Sequence, residues 1–169
     1  MEITKEVVKY GNEVLREKCE PVEEVTDELK QTIAEMIDLM HESNGVGLAA
    51  PQVGLTLRFF VYDVGDDKGA HALINPKIVN KIGVRWDSEG CLSMPGLYGD
   101  VLRADKVVVT GLDENGNKVR MKASGLLSTC IQHETDHLDG VLFIDKADPE
   151  TLHTGKVPGR DNDSEDEEE

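Results

Sequence analysis

The segment His133-Glu134-Thr135-Asp136-His137 carries the residue types that a hydrolytic metal site needs. On a helix, residues four apart lie on one face with Cβ atoms about 5–6 Å apart, so both imidazoles can bind the same ion. Glu134, beside the first histidine and turned aside, can take a proton from a water on that ion. This HExxH spacing is among the more specific short motifs. It predicts a catalytic metal site that activates water to cleave an amide-type bond.

A helix is expected to carry this motif. Ser124 is suited to be its N-cap and Gly140 to end it. Helical spacing places His133, Glu134 and His137 within the apolar stripe of that helix, so we expect all three to be buried. Buried charges need a partner, and a metal ion between the two imidazoles would supply one.

A third protein ligand must come from elsewhere in the chain, because catalytic metal sites usually offer three ligands and one open position. Phe143 stands where a common metalloprotease continuation has a third histidine. Glu150 is the only downstream glutamate before the acidic C-terminus, and no further helix supports it. The best candidate is Cys91, within residues 88–96, where glycines and a proline indicate a shaped turn. A small buried cysteine with no ligand role is the alternative interpretation.

Residues 45–54 contain several glycines and alanines, which would let a backbone approach a ligand closely in a loop that lines a cleft. Their spacing differs from that of a phosphate-binding loop, and no Lys-Ser/Thr pair follows. Gln52 has an amide donor suited to a developing oxyanion. An exposed glutamine in a surface turn is the alternative.

The remaining pattern indicates an α+β fold with antiparallel or mixed sheets. Thr26 can cap a helix that ends near residues 43–45, because its apolar residues recur at helical spacing. Strands are predicted at 58–64, at 71–79 with a bend at Asn75-Pro76, and at 106–112 and 118–123. The Asn115-Gly116 pair between the last two strands indicates a hairpin.

Composition limits the class of protein. The 169 residues suit one domain, and the net charge of −16 argues against stable nucleic-acid binding. The three cysteines are widely spaced, which argues against a disulfide framework. The sequence shows neither a secretory signal nor an apolar run of roughly 18 residues. We therefore expect a cytoplasmic protein that does not insert into a membrane. We expect a catalytic domain at 1–148 and a disordered acidic tail at 149–169.

Three segments together resemble the signature of the peptide deformylase family: GVGLAAPQ at 45–52, EGCLS at 89–93 and QHETDH at 132–137. The resemblance runs from about residue 7 to residue 148. It implies an α+β fold in which antiparallel or mixed sheets pack around a central helix that carries the HExxH motif. It also implies that the chain removes the formyl group from the N-terminal methionine of newly made polypeptides, and that it works near the ribosome of a bacterial-type cytoplasm.

The resemblance also implies roles for particular residues. The metal ligands would be Cys91, His133 and His137. The catalytic groups would be Glu134 as general acid and base, with Gln52 and the backbone N–H of Leu92 as the oxyanion hole. The substrate cleft would be lined by Val46, Gly47 and Gly90. The family implies one divalent ion, Fe²⁺ in the cell, with Zn²⁺, Ni²⁺ or Co²⁺ also accommodated.

Two alternatives to this activity follow from the same residues. One is an HExxH metallopeptidase, and the other is a catalytically inactive relative that binds metal or peptide. Glu89 is expected to pair with a basic residue, for which Arg103 is the candidate. The chain departs from common family patterns at Leu102, where proline is frequent, and at Tyr98, where some members carry arginine.

Overall fold

The computed structural model describes residues 1–155, which form three helices and eight strands, together with short 3-10 turns. The helices are α1 Asp27–Glu42, α2 Gly125–Leu138 and α3 Phe143–Lys146. The strands are β1 Gly47–Ala49, β2 Phe59–Tyr62, β3 His71–Ile82, β4 Arg85–Cys91, β5 Met94–Arg103, β6 Lys106–Leu112, β7 Lys118–Ser124 and β8 His153–Thr154. None of the helices in this part of the chain has both the length and the apolar composition needed to cross a membrane.

Two antiparallel sheets organise these elements. The first has the strand order β1-β2-β3-β6-β7, and the second has the order β4-β5-β8. Every pair of neighbouring strands in both sheets is antiparallel. The predicted α+β class with antiparallel sheets is therefore confirmed.

The two faces of the five-stranded sheet are covered by different apolar clusters. On one face, the apolar stripe of α1 packs with β1 and β2 around Met36, Met40 and Phe59. On the other, α2 packs with β6 and β7 around Phe60 and Ile131. Burial of these side chains supplies most of the force that holds α2 against the sheet.

Several elements that were predicted from short sequence patterns are present in the structure. Thr26 caps α1 by accepting a hydrogen bond from the backbone N–H of Leu29, as predicted. The hairpin of β6 and β7 closes through Asp113, whose side chain accepts from the N–H groups of Asn115 and Asn117. The predicted bend in β3 lies at Asn75, which has a positive φ of 51° where the register with β6 shifts.

Two predictions about local structure were wrong, and a third was right only in part. Residues 47–49, expected in a loop, form strand β1. The turn expected within 88–96 is present but is limited to residues 92–93, and the other residues of this segment belong to β4 and β5. Residues 149–155, assigned to the tail, form a 3-10 turn and then β8, which pairs with Leu97 and Tyr98 of β5. Backbone pairing with β5 orders this segment although its own sequence has little apolar content. The rest of the predicted tail lies outside the described residues.

Candidate metal centre

Helix α2 presents His133, Glu134 and His137 toward the interior of the protein. Their exposed fractions are 8%, 4% and 0%, so the expected burial of the motif is confirmed. Ser124 occupies the N-cap position as predicted, although its side chain makes no capping hydrogen bond. Gly140 follows the last turn with a positive φ of 75°, a conformation that glycine adopts without steric cost.

Cys91 approaches this helix from the end of β4. Its Sγ lies 3.4 Å from Nε2 of His137. One ligand atom from each of Cys91, His133 and His137 lies within 4.8 Å of the other two, and this is the only such group among residues 1–155. The fold therefore brings Cys91 to two histidines that lie more than 40 positions later in the sequence.

The chemistry of this group fits a divalent metal ion. A thiolate and two imidazoles are ligands that zinc and iron both accept, and three ligands leave one position open. The carboxylate oxygen Oε1 of Glu134 and the ring atom Nδ1 of His137 are both buried without a hydrogen-bond partner in the described chain. An unpaired carboxylate oxygen beside three metal-ligand atoms suits a group that receives a proton from water in the open position.

A buried ionic network contacts the Nδ1 side of the His133 ring. Nδ1 of His133 lies 2.9 Å from Oε1 of Glu89, so Nε2 is the ring nitrogen left for an ion. Arg103 donates to both carboxylate oxygens of Glu89, at 2.7 and 2.9 Å. Arg103 also donates to Asp136 at 2.7 Å. Because Asp136 lies on α2, the network links β4 and β5 to the helix that carries His133. The expected pair of Glu89 and Arg103 is present, and it fixes the ring that the motif contributes.

The pKa values of Glu134 and Glu89 are shifted in opposite directions. Burial raises the pKa of Glu134 to about 7, and the positive charge of His133 opposes that shift only in part. Burial would also raise the pKa of Glu89, but the hydrogen bonds from Arg103 and His133 outweigh it and lower the pKa to about 2. Glu89 is therefore a fixed negative charge, whereas Glu134 can exchange a proton near neutral pH.

Gln52 lies in the 3-10 turn after β1 and is 1% exposed, which excludes the surface-turn alternative. Its Oε1 accepts from the backbone N–H of Ala49 at 2.9 Å. Its Nε2 donates to Oγ of Ser93 at 3.1 Å and lies 3.5 Å from Sγ of Cys91. The amide donor is thus fixed next to the ligand group. Leu92, whose N–H was the second predicted donor, directly follows Cys91 in the turn between β4 and β5.

A cleft of about 240 Å³ opens onto this group. All three residues predicted to contact substrate line it: Val46, Gly47 and Gly90. A Cβ added to Gly47 would lie 2.5 Å from Oε2 of Glu134, and one added to Gly90 would lie 2.7 Å from the ring of Tyr98. Both glycines are therefore required by close approach rather than by backbone conformation.

Several contributors to the site were not found from the sequence. Ser93 accepts a hydrogen bond from Gln52, and Asp136 accepts one from Arg103. Nothing in the sequence near Ser93 marked it for this role. Asp136 lies within the HExxH motif, three residues after His133, and this position on the same face was the available signal. Phe143 is buried and its ring stacks on that of His133 with centroids 6.2 Å apart. Phe143 therefore packs against one of the three candidate ligands, and its apolar side chain cannot itself bind a metal ion.

The other two cysteines take no part in the ligand group. Cys19 is buried in the cluster between α2 and the first sheet. Cys130 is buried one turn before His133, and burial raises the pKa of its thiol well above the usual value. All three cysteines are free.

Comparison of the sequence with known proteins finds similarity to peptide deformylases. The family model described as polypeptide deformylase matches residues 4–153. The peptide deformylase of Desulfitobacterium hafniense is 51% identical over 142 residues, covering 84% of this chain and 93% of that protein. Peptide deformylase 1 of Clostridium perfringens is 50% identical over 134 residues, covering 79% and 91%.

Comparison of the fold with solved structures also finds peptide deformylases. The crystal structure of a peptide deformylase from Legionella pneumophila has a TM-score of 0.82 and 44% identity, covering 88% of each chain. That of a peptide deformylase from Synechococcus elongatus, in complex with actinonin, has a TM-score of 0.81 and 46% identity, covering 85% of this chain and 78% of that one.

Proposed function

This chain belongs to the peptide deformylase family, and on that premise we propose that Cys91, His133 and His137 hold one divalent metal ion in the cleft. The enzyme hydrolyses the formyl amide of N-formyl-methionyl nascent peptides and releases formate and a free N-terminal amine. The observation that carries the proposed ligand set is the approach of the three ligand atoms to within 4.8 Å of one another.

We propose Fe²⁺ as the ion in the cell, with Zn²⁺, Ni²⁺ or Co²⁺ able to replace it. The Cys/His₂ donor set by itself suits zinc equally well, because metal supply in the cell decides between such ions as much as affinity does. When bound, the ion acts as a Lewis acid that polarises the formyl carbonyl and lowers the pKa of a water molecule.

Glu134 is the proposed general base and acid. It takes the proton of the attacking water, and it returns a proton to the nitrogen when the C–N bond breaks. Its Oε1 is buried and has no hydrogen-bond partner in the described chain, so nothing competes with the water for that oxygen. The network of Glu89, Arg103 and Asp136 does not move protons in this proposal; it fixes His133.

Gln52 and the backbone N–H of Leu92 are the proposed donors to the oxygen of the tetrahedral intermediate. Donors that are already oriented stabilise such an oxygen without reorganisation during the reaction. The hydrogen bond from the backbone N–H of Ala49 to Oε1 of Gln52 supports this role, because it fixes the orientation of the side-chain amide and therefore the position of its NH₂ group.

Val46, Gly47 and Gly90 are proposed to bind the peptide backbone. β1 is the end strand of the five-stranded sheet, so one edge of its backbone faces away from β2. An extended peptide can pair with such an edge by β-type hydrogen bonds. This edge would align the formyl group with Glu134, whose carboxylate lies where a Cβ on Gly47 would point.

The wider setting of the enzyme is also proposed. The substrates are nascent chains, so we place the enzyme near the ribosome in a bacterial-type cytoplasm. We propose that α2, which carries the HExxH motif, is the central helix of the fold; its contacts with β1, β2 and β7 and the ion pair of Asp136 with Arg103 of β5 support this. The catalytic domain would comprise the residues before the acidic C-terminal segment.

Anaerobic purification with metal analysis, combined with a formate-release assay, tests the proposal. We expect one metal ion per chain and formate from formyl-Met-Ala-Ser. Cys91→Ala should lose both, whereas Cys19→Ala, which removes a buried thiol outside the ligand group, should retain both. Full metal content and rate in Cys91→Ala would overturn the ligand set. Cleavage of the unformylated peptide at internal bonds would favour the metallopeptidase instead.

A further inference from the structure

Five basic side chains share one face of the five-stranded sheet, at the end away from β1. We call this surface the basic face. It consists of Lys77 on β3, Lys106 on β6, and Lys118, Arg120 and Lys122 on β7. All five are exposed.

The register of the strands places them together. Thr110 of β6 lies opposite both Lys77 and Arg120, and directly opposed residues project to the same side of a sheet. Lys118, Arg120 and Lys122 alternate along β7, so they share that side at intervals of about 7 Å. Lys106 lies opposite Ser124, which continues the same series.

The basic face has no acidic counterpart on its own strands. The sequences of β3, β6 and β7 contain no aspartate or glutamate, although the whole chain carries 34 acidic residues and a net charge of −16. Within residues 1–155, none of the five side chains has a carboxylate within 4.0 Å; the ion pairs of that part of the chain involve other residues.

Protection of a sheet edge explains only part of this arrangement. β7 is an end strand, and charged residues on end strands prevent pairing with other chains. Lys77 and Lys106 lie on interior strands, where no edge needs protection. Like charges near one another on a sheet lower its stability, so five unpaired cations on one face are unfavourable unless an anion binds there.

We propose that the basic face binds the phosphodiester backbone of RNA. Phosphates of a polynucleotide repeat at fixed intervals, as do cations held on paired strands. Asn80, Thr110 and Ser124, which lie among the basic residues, can hydrogen-bond to phosphate and sugar oxygens. The choice of RNA rests on the proposed function, because nascent chains emerge from a particle that consists largely of RNA.

The overall negative charge sets the strength of this contact rather than preventing it. At physiological ionic strength, charges more than about 8 Å apart are largely screened, so a phosphate on the basic face experiences mainly the nearest of these cations and little of the acidic charge elsewhere on the chain. The contact is therefore weak, strongly dependent on salt and independent of base sequence. This local surface modifies the expectation, drawn from net charge alone, that nucleic acid is not bound.

Binding of a fluorescent single-stranded RNA of about 20 nucleotides to the full chain, measured by anisotropy from about 50 to 200 mM salt, tests the proposal. The test variant is Lys118→Gln, Arg120→Gln and Lys122→Gln combined. The control variant is Lys5→Gln, Lys18→Gln and Lys30→Gln combined, which removes the same charge from exposed lysines elsewhere. We expect the test variant to bind at least tenfold more weakly at the low salt, and to have a log–log salt slope smaller by about 2.

Equal weakening in the two variants would overturn the proposal, as would undetectable binding of the unaltered chain at the lowest salt. So would binding to anionic phospholipid vesicles without binding to RNA, which would identify a membrane surface. Formate release from a free formyl tripeptide is measured in parallel. Both variants should retain the full rate, so that failure of RNA binding is distinct from failure of the proposed function.

Discussion

Glu89 lies 2.9 Å from Nδ1 of His133 and at the same time accepts two hydrogen bonds from Arg103. The histidine lies on α2, and the glutamate lies on β4, the strand that ends at Cys91. One carboxylate therefore fixes the orientation of a proposed ligand on α2 from the strand that supplies the proposed cysteine ligand. This relationship leads to the first prediction.

Glu89→Gln should lower metal affinity about 10- to 100-fold, because the amide is a weaker partner for His133 and for Arg103. Activity should fall with metal occupancy and recover with excess metal. The measurement is a titration of metal-free protein, with circular dichroism to verify the fold. Glu114→Gln, which alters a carboxylate–histidine contact with His71 away from the cleft, is the control. Unchanged affinity in Glu89→Gln would show that the contact has no part in metal binding.

Glu134→Ala should keep the metal and lose about 10²- to 10⁴-fold in kcat for formyl-Met-Ala-Ser, because the base is removed and the ligands are not. Metal analysis and formate release on the same preparation separate the two effects. Retention of full activity would sink the proposed role of Glu134.

Gly47→Ala should lower activity by about 10²-fold or more with little change in metal content. The new methyl group would lie 2.5 Å from Oε2 of Glu134 and would displace the carboxylate, and a displacement of about 1 Å costs catalysis heavily. Val46→Ala, on the preceding residue, removes atoms from the cleft instead and should have a much smaller effect. Comparable losses in the two variants would contradict the steric explanation.

Removal of the metal should lower thermal stability, because a ligand that binds only the folded state stabilises it by about 2.7 kcal/mol at a concentration 100 times its Kd. Scanning calorimetry with and without a chelator measures the change in Tm. Cys91→Ala, with an incomplete ligand group, should show a much smaller shift. An equal shift in both proteins would mean that the chelator acts elsewhere.

Asp145→Asn should destabilise the protein at neutral pH by about 1 kcal/mol or less, because the ion pair with Arg16 is partly exposed. The hydrogen bond from Arg16 lowers the pKa of Asp145 in the folded state. Its contribution is therefore complete above the unfolded pKa of about 3.9 and is lost as the pH falls through the lower folded value. Urea unfolding at several pH values should show the two proteins converging in acid; a constant difference at all pH values would contradict this.

Much of the fold could be predicted where the signal is local. Thr26 marked the start of α1, and Asn115-Gly116 marked the β6–β7 hairpin, because caps and turns depend on a few neighbouring residues. β1, β4 and β5 could not be placed in this way. β1 is only three residues long, and β4 and β5 contain glycine, proline and charged residues whose strand conformation comes from pairing.

The sequence alone determined the chemistry available to this protein. Histidines four apart with a glutamate between them can serve one ion from one turn of helix, so His133, Glu134 and His137 needed no long-range information. Only the tertiary structure decided how the rest joins them. It brought Cys91 to the two histidines, buried Gln52 beside that cysteine, and placed Glu89 behind His133. The short segments around Cys91 and Gln52 marked these residues as candidates but not how close they lie to the histidines. Their contacts are set by strand pairing and by the packing of α2 on the sheet, which depend on the whole chain.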